Sequence, residues 1–340
     1  MGNVILEVKD LKVSFYKRRR EGQAVRDVNF TLEEGQTLGI IGESGSGKSV
    51  SGMSVMGLVP SIGGKIRSGE IIYEGTDLLK LSPKEMRKIQ GNKIAMIFQE
   101  PMTSLNPVFR CGAQVDEVIT LHNPEMSREQ VKARSIEMIN MVGIANAEGV
   151  YNMYPHELSG GMRQRVMIAM ALACSPELII ADEPTTALDV TIQAQILDLL
   201  KELKEKINSS IMLITHDLGV ISNMADYVVV MYAGRVVERG TTEDVFHHPI
   251  HPYTIGLMKS KPVVGKKVEN LYNIPGNVPN PVNMPNYCYF RDRCEMCVDK
   301  CHGEYPPLIR VNDTHFVSCW RYADEGEILG YPKSVNVEEL

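Results

Sequence analysis

Apolar residues along the chain follow two different rhythms. Ile5-Leu6-Glu7-Val8 and Lys12-Val13-Ser14-Phe15-Tyr16 read as short strands, followed by a solvated basic hairpin tip at Lys17-Arg18-Arg19-Arg20-Glu21-Gly22. Ala24–Phe30 and Gln36–Ile41 continue an antiparallel pattern, with Glu34-Gly35 as a turn signal. Ser68–Tyr73, closed by Glu74-Gly75, adds another strand, and Ser82–Ile89 is a short helix begun by Ser-Pro. Ile94–Phe98 is a buried strand ending at Gln99. From about Glu100 to Leu158 strand signals vanish and helical periodicity takes over, for instance across Ser127–Met141. From Glu177 the alternation returns as strand Leu178–Ala181, helix Val190–Ile207, strand Ile211–Thr215, helix Asp217–Asp226 and strand Tyr227–Tyr232. Strands alternating with helices predict a parallel sheet with helices on both faces. Beyond about Pro249 the chain becomes rich in Pro, Asn and Cys, with little periodicity.

Composition narrows the class only modestly. At 340 residues, 44% hydrophobic and 23% charged, the chain can bury a sizeable core. No uninterrupted apolar run approaches the ~18–20 residues of a membrane span, and Met1-Gly2-Asn3-Val4 leads straight into a strand without a signal-peptide core. A net charge of −6 argues against a bulk nucleic-acid binder. Five of the seven cysteines crowd into Cys288–Cys319, which in an intracellular chain suggests a metal site before disulfides.

The candidate chemistry starts at Gly42-Glu43-Ser44-Gly45-Ser46-Gly47-Lys48-Ser49, a G-x-x-x-x-G-K-S phosphate-binding loop. It lies between the apolar run Thr37–Ile41 and a helical reading of Val50–Leu58. Its backbone N–H groups would cradle phosphate oxygens at a helix N-terminus. Lys48 would bridge the β- and γ-phosphates, and the Ser49 hydroxyl would ligate Mg²⁺. A chance Gly/Ser turn is the bland alternative; the preceding strand and the Lys-Ser pair weigh against it. Leu178–Ala181 then runs into Asp182-Glu183. Asp182 is placed to hold Mg²⁺ through water and Glu183 to polarise the attacking water; either alone could merely cap the next helix. Leu158-Ser159-Gly160-Gly161 opens the helix predicted at Met162–Cys174 and offers a second phosphate-facing N-terminus. One nucleotide does not need two such cradles, so Ser159, Gly160 and Gly161 are assigned to the γ-phosphate on a partner subunit.

Leu158-Ser159-Gly160-Gly161-Met162-Arg163-Gln164-Arg165 resembles the L-S-G-G-Q signature of the ABC-transporter ATPases, with Met162 in place of Gln. In the peptide-transporter branch L-S-G-G-M-R-Q-R is the usual form. The resemblance implies an α/β fold: a P-loop NTPase core of mixed sheet, antiparallel β subdomain and helical insertion, plus a small Cys-rich C-terminal lobe. On it, residues 1–260 form the nucleotide-binding domain, with the helical subdomain at about 100–165, and 261–340 a Pro/Cys-rich metal-cluster-binding region. The boundary falls near Lys259–Lys267, and the absence of an internal repeat implies one cassette. Gln99 matches the glutamine that touches Mg²⁺ and relays to a membrane subunit. Thr186-Ala187-Leu188-Asp189 looks like the D-loop crossing the dimer interface, and His216 like the switch histidine on the γ-phosphate. An aromatic on adenine is implied in the second strand; Phe15 aligns best, Tyr16 is its neighbour, and a plain core role is open for either.

Gly42–Val50 with Met56-Gly57-Leu58, Gln99–Pro107, His248-Pro249-Ile250-His251-Pro252-Tyr253-Thr254 and Ile274–Pro279 resemble the D-type ATPase subunit of dipeptide and oligopeptide importers. Nickel importers share much of this pattern. The resemblance implies ATP and Mg²⁺, a second homologous ATPase subunit, two transmembrane permease subunits and an extracytoplasmic peptide-binding protein. It places the chain peripherally on the cytoplasmic face of the cell membrane, with no nucleic-acid partner. A soluble ABC ATPase acting on ribosomes or DNA, which usually has two cassettes or a long coiled coil, and a low-turnover iron–sulfur sensor are the rivals. In the same branch the tail resembles C-x-F-x-x-R-C…C…C, matched by Cys288, Phe290, Arg293, Cys294, Cys301 and Cys319, with Cys297 spare. It points to a [4Fe–4S] cluster on Cys288, Cys294, Cys301 and Cys319. Four thiolates also suit Zn²⁺, and His302 or His315 could complete a mixed zinc site.

Overall fold

A computed structural model describes residues 2–17, 20–100, 104–186, 189–260, 272–324 and 326–330. Strands β1 (Val4–Lys17) and β2 (Arg20–Glu33) pair antiparallel along most of their length. β1 is one strand where the sequence suggested two. Asp10 sits in the left-handed region at φ 47°, with its N–H on Asn29 Oδ1 at 2.9 Å, and the register shifts between Val8 and Leu11. A bulge of this kind interrupts the alternation without ending the strand.

Strand β3 (Thr37–Ile41) does not continue that antiparallel pattern. All five of its residues are buried, and it lies inside a second sheet, of nine strands among the described residues. Strands covered on both faces lose the in–out alternation and belong in parallel sheets. The first sheet is completed by β4 (Gly64–Tyr73) and β5 (Thr76–Asp77), in the order β2-β1-β4-β5. The second gathers β6 (Ile94–Ile97), β7 (Leu178–Asp182), β8 (Ser210–Ile214) and β9 (Tyr227–Tyr232), pairing in parallel in the order β9-β3-β8-β7-β6. Its two faces feed two cores. Ile179 and Ala181 face one core with the helices, whereas Leu178 and Ile180 face the antiparallel sheet.

Helix α1 (Lys48–Val55) follows the phosphate-binding loop, beginning at Lys48 and ending before Leu58. Ser82 and Glu85 form a capping box for α2 (Pro83–Ile89). After β6 the chain is helical: α3 (Cys111–His122), α4 (Arg128–Met141, boxed by Ser127 and Gln130), α5 (Ala147–Asn152) and α6 (Gly160–Leu172). Returning to the sheet are α7 (Val190–Ile207), closed by Asn208 at φ 52°, and α8 (Leu218–Met224), begun by Asp217.

The tail is not featureless. β10 (Arg235–Thr241) pairs antiparallel with β9; after α9 (Thr242–His247) and α10 (Pro252–Lys259), the chain supplies β11 (Leu308–Arg310), β12 (Phe316–Val317) and β13 (Glu327–Gly330) to the same sheet. β12 adds to β10, and Ile274, Tyr289, Phe290 and Tyr305 sit in the helix-side core. The Cys-rich region is thereby built onto the sheet. Strands of two to four residues carry no readable period, which is why the sequence did not signal β11, β12 and β13. The boundary placed near Lys259–Lys267 lies largely outside the described residues.

Gly39, in the middle of β3, leaves no room for a side chain: a Cβ there would stand 2.8 Å from Ile221 Cδ1 and 3.0 Å from Ala225 Cβ. Gly39→Val should therefore push α8 off the sheet, costing about 1–3 kcal/mol. A lowered thermal midpoint is the expected reading; an unchanged midpoint would mean that this contact gives way freely.

Candidate active site

Parallel pairing brings the carboxyl ends of β3, β6, β7 and β8 to one edge of the sheet, the edge where open α/β folds place ligands. The residues that follow these strands meet there. Ser44, Gly45, Ser46, Gly47, Lys48, Ser49 and Val50 line a cleft of about 570 Å³ with Gln99, Glu183, Thr186 and His216. Gly42 opens the loop at φ 150°, where a Cβ would overlap the carbonyl of Met231. Lys48 is buried, and its ammonium lies 2.7 Å from the Gly42 carbonyl and 3.0 Å from that of Glu43. Burial lowers its pKa.

Asp182 ends β7 only 3% exposed and accepts a 2.8 Å hydrogen bond from Ser49 Oγ. Burial pushes its carboxyl up to about 6, against the downward pull of Ser49 and Lys48. A buried carboxylate so poorly compensated, beside a hydroxyl, fits a hard divalent cation. Glu183 follows with φ 47°, its N–H on the Ile214 carbonyl at 2.7 Å. A non-glycine residue in this region is strained, and such strain concentrates at functional sites. Three side chains surround its carboxylate. Thr186 Oγ1 donates at 2.8 Å and Gln99 Nε2 at 3.0 Å, while His216 Nδ1 lies 3.3 Å away.

Not every candidate joins this cleft. Ser159 and Gly160 are exposed at the start of α6, where Ser159 Oγ accepts from the Met162 N–H at 3.3 Å. Neither they nor Gly161, which faces Ile192, line the cleft among the described residues. Asp189 caps α7 through the Ile192 N–H at 3.0 Å; Ala187 and Leu188 lie outside the described residues. Phe15 packs on the core beside Gly64, whereas Tyr16 is 44% exposed and hydrogen-bonds Glu21 at 3.2 Å. Glu43 turns away from the cleft toward Arg293.

In the tail, Cys288, Cys294, Cys297, Cys301 and Cys319 are all free thiols. A hydrogen bond with Cys288 lowers Cys301 to about 6, and burial raises Cys319 to about 11. Cys297 is drawn into the same neighbourhood, with its Sγ 3.6 Å from His302 Nε2. Among the described residues no three His, Cys, Asp or Glu side chains are grouped so as to hold a metal ion. His315 is committed elsewhere, its Nε2 2.7 Å from the buried carboxylate of Glu238.

Sequence reasoning missed two residues that touch the phosphate loop. The Glu43 N–H donates to the Tyr253 hydroxyl at 2.7 Å, and Arg293 forks onto the Glu43 carboxylate. Both sit inside motifs quoted above only as marks of a branch. The signal was present, without a partner to read it against.

The cleft therefore belongs to a nucleoside-triphosphate-hydrolysing cassette. Residues 25–186 match the family described as "ABC transporter" and residues 237–301 that described as "Oligopeptide/dipeptide transporter, C-terminal region". The oligopeptide transport ATP-binding protein AppD of Bacillus subtilis is 50% identical over 95% of this chain and 98% of its own. The dipeptide transport ATP-binding protein DppD of Lactococcus lactis is 50% identical over 93% and 90%. A dimeric post-hydrolysis structure of the ATP-binding cassette MJ0796, bound to ADP and Pi, matches with a TM-score of 0.62 at 29% identity, covering 70% of this chain and 98% of that one. The chain belongs to the ATP-binding proteins of the ABC transporter family. It is an ATPase, and no helix among the described residues is long and apolar enough to cross a membrane.

Two substitutions separate binding from turnover. Glu183→Gln keeps the shape of the side chain but could not take a proton from water, so if Glu183 is the base ATP should still bind while turnover falls by ~10² or more. Unchanged hydrolysis would remove Glu183 from that role. Lys48→Ala should instead weaken nucleotide binding in a titration, because phosphate charge goes unneutralised; wild-type affinity would contradict the assignment.

Proposed function

We propose that this chain is the ATP-hydrolysing subunit of an importer for di- and oligopeptides, seated peripherally on the cytoplasmic face of the cell membrane. The observation that carries the reading is the match in the tail, residues 237–301, together with relatives of 50% identity whose names give oligopeptide or dipeptide transport. The partners are a second homologous ATPase subunit, two transmembrane permease subunits and an extracytoplasmic peptide-binding protein.

Lys48 and the loop amides take the triphosphate, with Ser44, Gly45, Ser46 and Gly47 forming the wall of the cradle. Ser49, Asp182 and Gln99 would hold Mg²⁺, which supplies charge neutralisation on the phosphates. Glu183, aimed by Thr186, Gln99 and His216, accepts a proton from the attacking water. His216, exposed at the rim, contacts the γ-phosphate. The exposed ring of Tyr16, or Phe15 beside it, stacks on adenine. Ser159, Gly160 and Gly161 close over the nucleotide of the partner subunit, and Asp189 belongs to the same interface. Closure of the pair is transmitted to the permeases through the helical insertion and Gln99.

The tail is proposed to carry a [4Fe–4S] cluster on Cys288, Cys294, Cys301 and Cys319, a structural group that hydrolysis does not use. Its support is donor chemistry: five free thiols in one region, linked by hydrogen bonding and charge. Protein purified anaerobically should be brown, with iron and acid-labile sulfide each at about four per chain. Cys294→Ser should lose the metal and Cys297→Ser should keep it; colourless protein with one zinc would replace the cluster by zinc.

Cargo is tested in the assembled transporter. Adding di- or oligopeptides with the binding protein should stimulate ATP hydrolysis, and nickel should not. Stimulation by nickel alone would move the chain to the metal importers.

A further inference from the structure

Glu43, the second residue of the phosphate-binding loop, is held at three points. Its N–H donates to Tyr253 Oη at 2.7 Å, and its carbonyl oxygen lies 3.0 Å from Lys48 Nζ. Its carboxylate receives both arms of Arg293, Nη1 to Oε2 at 2.7 Å and Nη2 to Oε1 at 3.0 Å. A bidentate fork fixes orientation as well as charge. Arg293 is itself 8% exposed and is held from behind. Its Nε donates to the Pro275 carbonyl at 2.8 Å, and Nη1 lies 3.3 Å from the Tyr232 hydroxyl. Beneath it Tyr232, Tyr253 and Phe290 pack ring against ring, with centroids 4.7 to 5.5 Å apart.

The sign of the charge makes this more than a packing contact. Glu43 belongs to the loop that the polyphosphate must approach, and although its carboxylate is turned toward Arg293 its charge acts on Lys48. Left alone, it would repel the ligand and compete for the lysine. A guanidinium brought from 250 residues away neutralises it and holds it away from the cleft.

We propose that Arg293 is a positioning residue for the nucleotide site, bracing the phosphate-binding loop and cancelling the charge of Glu43, so that the carboxy-terminal region sets ATP affinity in cis. The inference rests on the loop's role in nucleotide binding and is independent of the cargo. It gives the motif arginine a task that the neighbouring thiols do not have. It also explains why Tyr253, Pro275 and Phe290 lie in one patch: together they aim one guanidinium.

The test is a titration of the full-length chain with a fluorescent ATP analogue, with thermal melts on every variant. Wild type must bind the analogue; failure to bind would overturn the nucleotide reading itself. Arg293→Gln should raise the dissociation constant roughly ten-fold, less than the cost of breaking a fully buried ion pair because the Glu43 side chain is 27% exposed. Adding Glu43→Gln to it should recover most of that loss, because the uncompensated charge is gone. Arg293→Lys, which keeps the charge and loses the fork, should fall between wild type and Arg293→Gln. It also serves if Arg293→Gln does not fold. Affinity within two-fold of wild type for folded Arg293→Gln or, where that variant is unfolded, for Arg293→Lys would overturn the proposal. So would a double variant as weak as the single one, since a merely structural arginine would not be rescued by removing its partner's charge.

Discussion

Parallel strand pairing is the constraint on which the rest depends. Residues as distant in sequence as Lys48, Gln99, Glu183 and His216 face one cleft because the strands before them run side by side in the same direction. Each of those strands is covered on both faces, so a slip in register would move a whole apolar set onto the wrong core. Precision at the cleft therefore comes from the two cores flanking the sheet, and the loops inherit it.

The cleft is held under strain and partly uncompensated charge. Glu183 adopts a left-handed backbone while three neighbours converge on its carboxylate. Asp182 is buried against Ser49 with its carboxyl shifted up to about 6. Such groups cost stability in isolation and make sense as receivers of a cation and a reacting water. The contact of Arg293 with Glu43 belongs to the same economy, with one difference: its charge is already balanced within the chain.

Most of the core was legible in the sequence because long periodic segments carry their own signal. Helix Val190–Ile207 and strand Tyr227–Tyr232 have the bounds their patterns predict. The phosphate loop, the two acids, Gln99 and His216 were legible as motifs; Glu183, Gln99 and His216 line the cleft with the loop, and Asp182 joins it through Ser49. Illegible features have physical causes. The bulge at Asp10 made one strand look like two, and the fully buried Thr37–Ile41 hid its membership of the parallel sheet. The tail strands are too short for a period to show, and the pairing of Arg293 with Glu43 spans a separation that no local pattern encodes.

We propose that this cleft is half of a composite site. Ser159 and Gly160 are exposed at a helix N-terminus outside their own chain's cleft, as groups meant for a second nucleotide would be. The most direct measurement is the rate of ATP hydrolysis per chain, first for the lone chain over a wide concentration range and then with the second ATPase subunit and both permeases. Slow hydrolysis by the lone chain and a marked rise on assembly are expected. Rapid hydrolysis by the lone chain, independent of its concentration, would contradict the proposal.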